Sequence, residues 1–172
     1  MKKIAIVGAG SAGILTAAHL CTWLDKSWQV CAVHNPRKKI LGIGESTNGA
    51  FISVLERATN FSIANEADMN ALAATLKFGS KFTGWREQSW INPLLSGNIA
   101  IHFDNRRFKD FVFGRLTELW PGQFTELLAD VRQIQNYSDH VTLITDGGEH
   151  DFDYVVDCTG APSDFDNYTM SD

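Results

Sequence analysis

The most constraining feature of this 172-residue chain is a glycine loop that directly follows a short apolar strand near the amino terminus. Lys2–Val7 reads as a strand rich in β-branched residues, and residues 8–13 (GAGSAG) then match the pattern GxGxxG. Residues 14–24 have the composition of a helix. A strand, GxGxxG and a helix in this order predict the first βα turn of a Rossmann-type fold, where the pyrophosphate of a dinucleotide binds.

Each small residue of this loop has a predicted task. Gly8 permits the tight turn, Gly10 lets a pyrophosphate approach the backbone, and Gly13 lets the helix pack closely on the strand. The free N–H groups where the helix starts, at Ser11 and Ala12, are expected to hold the anion. The alternative is a glycine-rich turn that holds no ligand.

The end of the predicted second strand, residues 28–33, departs from the usual pattern. Rossmann-type sites place an Asp or Glu about 20 residues beyond the glycines to bond the ribose, and His34 stands there instead. His34 or Asn35 could still bond a ribose hydroxyl. The basic run at residues 37–39 could instead receive the 2′-phosphate of NADP, or could be a solvated loop.

Composition excludes several classes of protein. Hydrophobic residues make up 44% of the chain and charged residues 20%, which is typical of a globular protein and not of a disordered one. Fifteen Lys and Arg against twenty Asp and Glu give a net charge of −5, so nucleic acid is not expected as a partner. Cys21, Cys31 and Cys158 are too few and too scattered for a disulfide framework or a zinc site. We expect them to be buried in a reducing compartment, which predicts a cytoplasmic protein.

The uncharged stretch of residues 4–24, preceded by two lysines, has the look of a signal peptide. It is too broken for a good membrane span, so no membrane association is expected. The residues that interrupt it are Gly8, Gly10, Ser11, Gly13, Thr16 and His19.

The remaining elements follow from periodicity and capping signals. Thr47 is predicted to cap a helix over the apolar residues after it, and Asp104 to cap a helix over residues 105–119 that Pro121 and Gly122 end. Further predictions are a helix at 65–75, strands at 76–85, 97–103, 129–135 and 141–145, a hairpin through 146–148, and a last strand at 154–160. There are no internal repeats and no obvious linker.

The glycine loop, a hairpin-rich middle and a late strand that closes on Thr159 and Gly160 resemble the FAD-binding domain of the glutathione-reductase-like flavoproteins. Three blocks narrow the resemblance: residues 42–47 (GIGEST), 76–85 (LKFGSKFTGW) and 102–104 (HFD) are similar, in order and spacing, to segments of the flavin-dependent tryptophan halogenases. The resemblance implies an α/β, Rossmann-like three-layer fold with a parallel sheet and an antiparallel β-meander. It also implies one FAD-binding domain over residues 1–172.

What the resemblance implies about function is specific. The cofactor is FAD, used as FADH2, with Gly44, Glu45 and Ser46 lining the flavin. Lys77 matches the catalytic lysine, which holds hypohalous acid, made from halide and dioxygen, beside an aromatic substrate such as tryptophan or another indole. A separate flavin reductase is the implied partner.

The residues around Lys77 support that role by their pattern. Without the resemblance Lys77 would be a solvated strand lysine. On a continuous strand Phe78 and Phe82 are expected to brace it, and Lys81 is expected on the same face but outside the catalytic position.

Some features depart from the family pattern. Ser80 replaces an apolar residue, Gly84 replaces Asn, and the Trp-x-Trp-x-Ile-Pro segment of these halogenases is missing from the 172 residues. We therefore expect this chain to lack most of the substrate-binding module and to be inactive alone. Two alternatives remain open: a single-component flavin monooxygenase, and a truncated nucleotide-binding module without catalysis.

Overall fold

The computed structural model describes residues 1–38, 44–85, 87–94 and 99–160. Within them the chain forms twelve β-strands and four α-helices. The strands are β1 Lys2–Val7, β2 Trp28–His34, β3 Gly44–Ser46, β4 Thr75–Lys77, β5 Gly79–Phe82, β6 Trp90–Pro93, β7 Ala100–Asp104, β8 Phe124–Leu128, β9 Val131–Asn136, β10 Val141–Thr145, β11 Gly148–Phe152 and β12 Tyr154–Asp157. The helices are α1 Ser11–Trp23, α2 Gly49–Thr59, α3 Glu66–Ala71 and α4 Asn105–Leu119.

A four-stranded parallel sheet in the order β12-β1-β2-β8 forms the centre. Val7 of β1 lies opposite Val33 of β2 on one side and Asp157 of β12 on the other. β1 and β2 are apolar on both faces because a parallel sheet is covered on both sides.

The two faces of this sheet are covered differently. Ile4 and Ile6 pack into a cluster with residues of α1, α2 and α4. Ala5 and Val7 point the other way, into a cluster with Leu143 of the meander β9-β10-β11. These are the three layers that the sequence predicts, and the predicted fold class is confirmed.

Strand β8 is the largest omission of the sequence reasoning. The predicted strand at 129–135 is wrong in its bounds: the chain pairs Phe124–Leu128 with β2, turns, and then enters the meander as Val131–Asn136. The five residues of β8 include a glutamate and show little strand pattern in the sequence. β8 forms because it pairs with β2 and so extends the parallel sheet.

The predicted strand at 76–85 is also wrong, since it is two strands in two sheets. β4 pairs with β7, whereas β5 pairs with β6. The break is at Phe78, whose side chain is 77% exposed. Gly79 packs so tightly on β6 that a Cβ atom there would lie 2.7 Å from the carbonyl oxygen of Asn92.

The helix signals give mixed results. Asp104 caps α4 as predicted, with its carboxylate accepting the Arg106 N–H at 3.0 Å. α2 is capped by Asn48 and not by Thr47. α3 ends at Ala71, short of the predicted 75, because the chain already enters β4 at Thr75. The strand predicted at 97–103 is observed as β7, and residues 97 and 98 lie outside the described residues.

Candidate functional site

A groove of about 730 Å³ runs along the carboxyl ends of the four parallel strands. The glycine loop follows β1, and the groove is also lined by residues that follow the other three strands: His34 and Asn35, Ala129 and Asp130, and Cys158 to Gly160. Parallel sheets bind ligands at this edge because the strand order reverses there and the loops diverge. The fold thus brings Gly8, Gly10, Ser11 and Ala12 together with His34.

The three glycines of the loop differ in whether the surrounding structure requires glycine at their position. Gly8 has φ +108°, and a Cβ atom there would lie 2.6 Å from the carbonyl oxygen of Cys158. At Gly13 a Cβ atom would overlap the carbonyl oxygen of Gly8, so the closeness of α1 to β1 requires glycine. At Gly10 such a Cβ atom would have no atom of the described ranges within 4 Å, and the backbone dihedrals are ordinary and extended. No contact among the described residues requires glycine at position 10, which lines the groove.

The start of α1 suits an anion. Gly10 is its N-cap, provides no side-chain acceptor, and the first turn holds no acidic residue. The first N–H groups of a helix have no acceptor inside the helix and carry the positive end of its dipole. Free space at Gly10 next to these donors fits the pyrophosphate of a dinucleotide.

Glu45 connects the second glycine-containing loop to this groove. Its Oε1 accepts the Ser11 hydroxyl at 2.8 Å and the Asn105 side-chain amide at 3.1 Å. Ser11 and Asn105 are the first residues of α1 and α4, so the carboxylate lies at two helix amino termini, where negative charge is favoured. Gly44, in β3, pairs with Asp104 just before α4.

Asn105 is a residue that the sequence reasoning missed. It lines the groove and is only 4% exposed. Part of the signal was available, because the residue after a capping Asp104 begins the helix and a helix start favours negative charge nearby. A pairing with Glu45 and Ser11 could not be read from the sequence.

A second cavity of about 700 Å³ adjoins the groove and shares Ser11 and Glu45 with it. It opens between α1 and α2, and Ser46 lies on its rim. Its other lining is mainly apolar, with Leu15, Leu20, Phe51, Val54 and Phe103. The sequence reasoning did not predict it.

His34 is buried at the far end of the groove. Its Nε2 lies 3.0 Å from Oε2 of Glu126 on β8, and its ring packs against Phe113 of α4 at 6.0 Å between centroids. One ring nitrogen is thus engaged by a glutamate on the neighbouring strand. Whether His34 bonds a ribose stays a prediction.

The described part of the basic run is paired with acids on the meander side. Arg37, 81% exposed at its side chain, lies 3.8 Å from Asp146, and Lys38 lies 3.5 Å from Asp130. A hydrogen bond from Asn35 lowers the pKa of Asp130, and the charge of Lys38 adds to this. Lys39 lies outside the described residues.

Lys77 is held by a backbone group. Its Nζ donates to the carbonyl oxygen of Thr47 at 3.2 Å, across β7 from its own strand. The predicted bracing by phenyl groups is wrong: Phe78 is exposed, and Phe82 packs against Trp90 in a tilted ring pair in the separate β5–β6 hairpin. Lys81 lies in that hairpin and not in the sheet of Lys77.

Two surveys of the described ranges complete the site. No group of three or more His, Cys, Asp or Glu residues could hold a metal ion there. None of the helices in those ranges has the length and apolar character that crossing a membrane requires.

Comparison with known proteins gives consistent results. The sequence model of the family described as "Tryptophan halogenase" matches residues 3–113. The chain is 37% identical over 82 residues to 7-chloro-L-tryptophan 6-halogenase KtzR of Kutzneria sp. (strain 744), over 47% of this chain and 15% of KtzR.

Solved structures share the fold. Xcc4156, a flavin-dependent halogenase from Xanthomonas campestris, has a TM-score of 0.77 at 21% identity, over 92% of this chain and 42% of that one. The tryptophan 6-halogenase SttH from Streptomyces toxytricini has a TM-score of 0.77 at 19% identity, over 93% and 42%.

The chain therefore spans less than half the length of these relatives. The match to the family's sequence model covers well over half of the chain, and it includes the glycine loop and Lys77. The protein belongs to the tryptophan halogenase family.

Proposed function

We propose that this chain is the FAD-binding domain, over residues 1–172, of a flavin-dependent halogenase that acts on a tryptophan-like aromatic substrate. The observation that carries the proposal is the groove at Gly10, where free space and the first N–H groups of α1 lie beside Glu45, two residues before the carbonyl that accepts the Lys77 amine. Halide and dioxygen are the co-substrates, FADH2 comes from a separate flavin reductase, and the compartment is the cytoplasm.

The groove residues divide the cofactor between them in this proposal. Gly8, Gly10 and the N–H groups of Ser11, Ala12 and Gly13 hold the pyrophosphate. His34 stands at the ribose. Gly44, Glu45 and Ser46 are assigned to the flavin; Glu45 and Ser46 line the mainly apolar cavity next to the groove, and such walls suit a planar ring system.

Lys77 acts on the product of the oxidation. When bound, reduced FAD supplies the reducing equivalents with which dioxygen converts halide into hypohalous acid. Free hypohalous acid attacks many groups, so selectivity requires a donor that fixes it against one ring carbon. An ammonium has three N–H donors, and within the described part of the chain the Thr47 carbonyl takes one, so two are available to hold the oxygen of hypohalous acid.

The cofactor assignment is tested by thermal unfolding with and without ligand. FAD should raise the melting temperature of the wild type, and NADP should not. Gly10→Val should keep the fold, because no protein atom is near, and should abolish the FAD-induced shift because the side chain fills the approach to the backbone. An equal shift in wild type and variant would contradict the pyrophosphate assignment, and a larger shift with NADP would favour the basic run.

The role of Lys77 is tested in a protein of full family length that contains this chain, supplied with reduced flavin, halide and tryptophan. Lys77→Ala should abolish halogenation while FAD binding and flavin oxidation continue, since the lysine acts after hypohalous acid has formed. Lys81→Ala is the matched control and should keep substantial activity, because Lys81 lies in a different sheet. Halogenated product from Lys77→Ala would remove the assignment, and hydroxylated product from the wild type would favour a monooxygenase.

A further inference from the structure

The hydrogen bonds around Thr47 depart from the regular pattern of the β3-β7-β4 sheet. β3 and β7 are antiparallel, with Ser46 opposite His102, so the next pair is Thr47 and Ile101. The Thr47 N–H donates to the Ile101 carbonyl at 3.1 Å, as a ladder pair requires. In a regular ladder the Ile101 N–H would donate back to the Thr47 carbonyl.

The Thr47 hydroxyl takes the place of its own carbonyl. The Ile101 N–H donates to Oγ1 at 2.9 Å, and Oγ1 donates to the Ile101 carbonyl at 2.9 Å. The Thr47 carbonyl is therefore released from the ladder. It accepts Nζ of Lys77, whose strand lies on the other side of β7.

We propose that Thr47 is the positioning residue of the Lys77 amine: its hydroxyl substitutes for a backbone acceptor and so frees a carbonyl to hold the lysine. The functional meaning rests on the proposed halogenase function. A lysine side chain has a flexible four-carbon stem, and a fixed acceptor restricts where its amine can present a proton.

The hydroxyl is the chemical group on which this arrangement depends. Serine retains a group that accepts from one amide and donates to one carbonyl. Valine has nearly the same shape and can do neither. In Thr47→Val we expect the Ile101 N–H to turn to the carbonyl of residue 47, its partner in a regular antiparallel ladder, so that the lysine loses that acceptor.

The proposal is tested by trace acetylation of the 172-residue chain with acetic anhydride over a range of pH, with modification at each lysine measured by peptide mass spectrometry. Lys81 is the internal control. The rate at Lys77 relative to Lys81 should be low in wild type and Thr47→Ser, and should rise by about threefold or more in Thr47→Val, the loss expected for one hydrogen bond. An unchanged ratio in a folded Thr47→Val chain would overturn the proposal.

A second measurement needs no variant. Scalar couplings across hydrogen bonds should connect the Thr47 N–H to the carbonyl carbon of Ile101 in the wild type. The coupling from the Ile101 N–H to the carbonyl carbon of Thr47 should be absent, and should appear in Thr47→Val. Its presence in the wild type would overturn the proposal even if Thr47→Val does not fold. Neither measurement uses flavin or halide. A failure of the Thr47 proposal is therefore distinguishable from a failure of the proposed function, which would be seen as halogenation by Lys77→Ala.

Discussion

The two halves of the candidate site are built in contrasting ways. The groove lies on what we term the parallel region, β1, β2, β8 and β12 with α1 and α4, where strands are buried on both faces. Lys77 lies in what we term the lysine region, β3 to β7 in chain order, which includes strands of three or four residues. There Phe78, Trp85 and Ile91 are 77%, 76% and 69% exposed.

The difference shows which interactions hold the geometry of each half of the site. The groove is held by a core, so many contacts must fail before its geometry changes. In the lysine region β7 is anchored in the same core through Ile101 and Phe103, but β4, β5 and β6 are short and largely exposed, and such segments open locally at low free-energy cost. Substitutions should therefore alter folding in the first region and the position of an amine in the second.

The largest expected effect is a loss of stability. It is tested by adding a Cβ atom against a backbone carbonyl oxygen in each of the two regions. Gly13→Ala puts a Cβ atom into the Gly8 carbonyl at the centre of the parallel region, and should cost about 3 kcal/mol, which lowers the melting temperature by roughly 6–12 °C. Gly79→Ala puts one against Asn92 in the β5–β6 hairpin. For Gly79→Ala, calorimetry should show little change in the melting temperature. Backbone amide hydrogen exchange should become faster in the hairpin and stay unchanged elsewhere. Equal losses in both variants would mean that the two regions unfold as one unit.

In the parallel region, the reactivity of the thiols should distinguish cysteines in the core from the cysteine that lines the groove. Burial raises the pKa of the Cys21 thiol to about 12 and also raises the pKa of the buried Cys31. At pH 8 iodoacetamide should therefore modify Cys158, which lines the groove, and spare the other two. Mass spectrometry of the digested protein gives the site, and FAD should slow the reaction. Modification of Cys158 at the same rate with saturating FAD would contradict the groove assignment.

Glu45 links the two regions, and its charge should matter more for ligand than for fold. Glu45→Gln keeps the shape but weakens the charge-assisted bonds from Ser11 and Asn105 that align two helix starts at the groove. We expect weaker FAD binding in titration calorimetry, with less than about 1 kcal/mol lost from the free energy of unfolding. Glu149→Gln, on an exposed strand of the meander, is the control. Unchanged affinity for FAD would mean that Glu45 has no role in ligand binding and is only a carboxylate stabilised by the helix dipoles.

The smallest effect concerns acid. Hydrogen bonds from Arg106 to Asp104, at 2.9 and 2.7 Å between side chains, lower the pKa of this capping carboxyl to about 2. A depressed folded pKa gives stability that is present above the unfolded value of about 4 and is lost as pH falls toward about 2. Over that window the melting temperature of Asp104→Asn should fall less steeply than that of the wild type. Asp110→Asn should follow the wild type, and parallel slopes for all three would show that the α4 cap does not titrate.

Local signals accounted for much of the parallel region. The apolar run, GxGxxG and a helix sit next to each other in the chain, so β1 and α1 could be placed from steric and hydrogen-bonding rules alone. The Asp104 cap of α4 and the turn at residues 146–148 are equally local, since each satisfies backbone groups within a few residues. These features, with the three family-like blocks, were sufficient to predict the fold class and the position of the glycine loop after β1.

The sequence by itself determined which residues could bind an anion or carry an amine, because those properties belong to side chains and to short spacings. Only the tertiary structure decided their partners: Ser11 with Asn105, 94 positions apart, His34 with Glu126, 92 apart, and Lys77 with the Thr47 carbonyl, 30 apart. β8 and the break at Phe78 were decided in the same way, by pairing with distant strands. A hydrogen bond between distant residues forms when the packed core brings them within about 3 Å, and no local pattern in the chain encodes that distance.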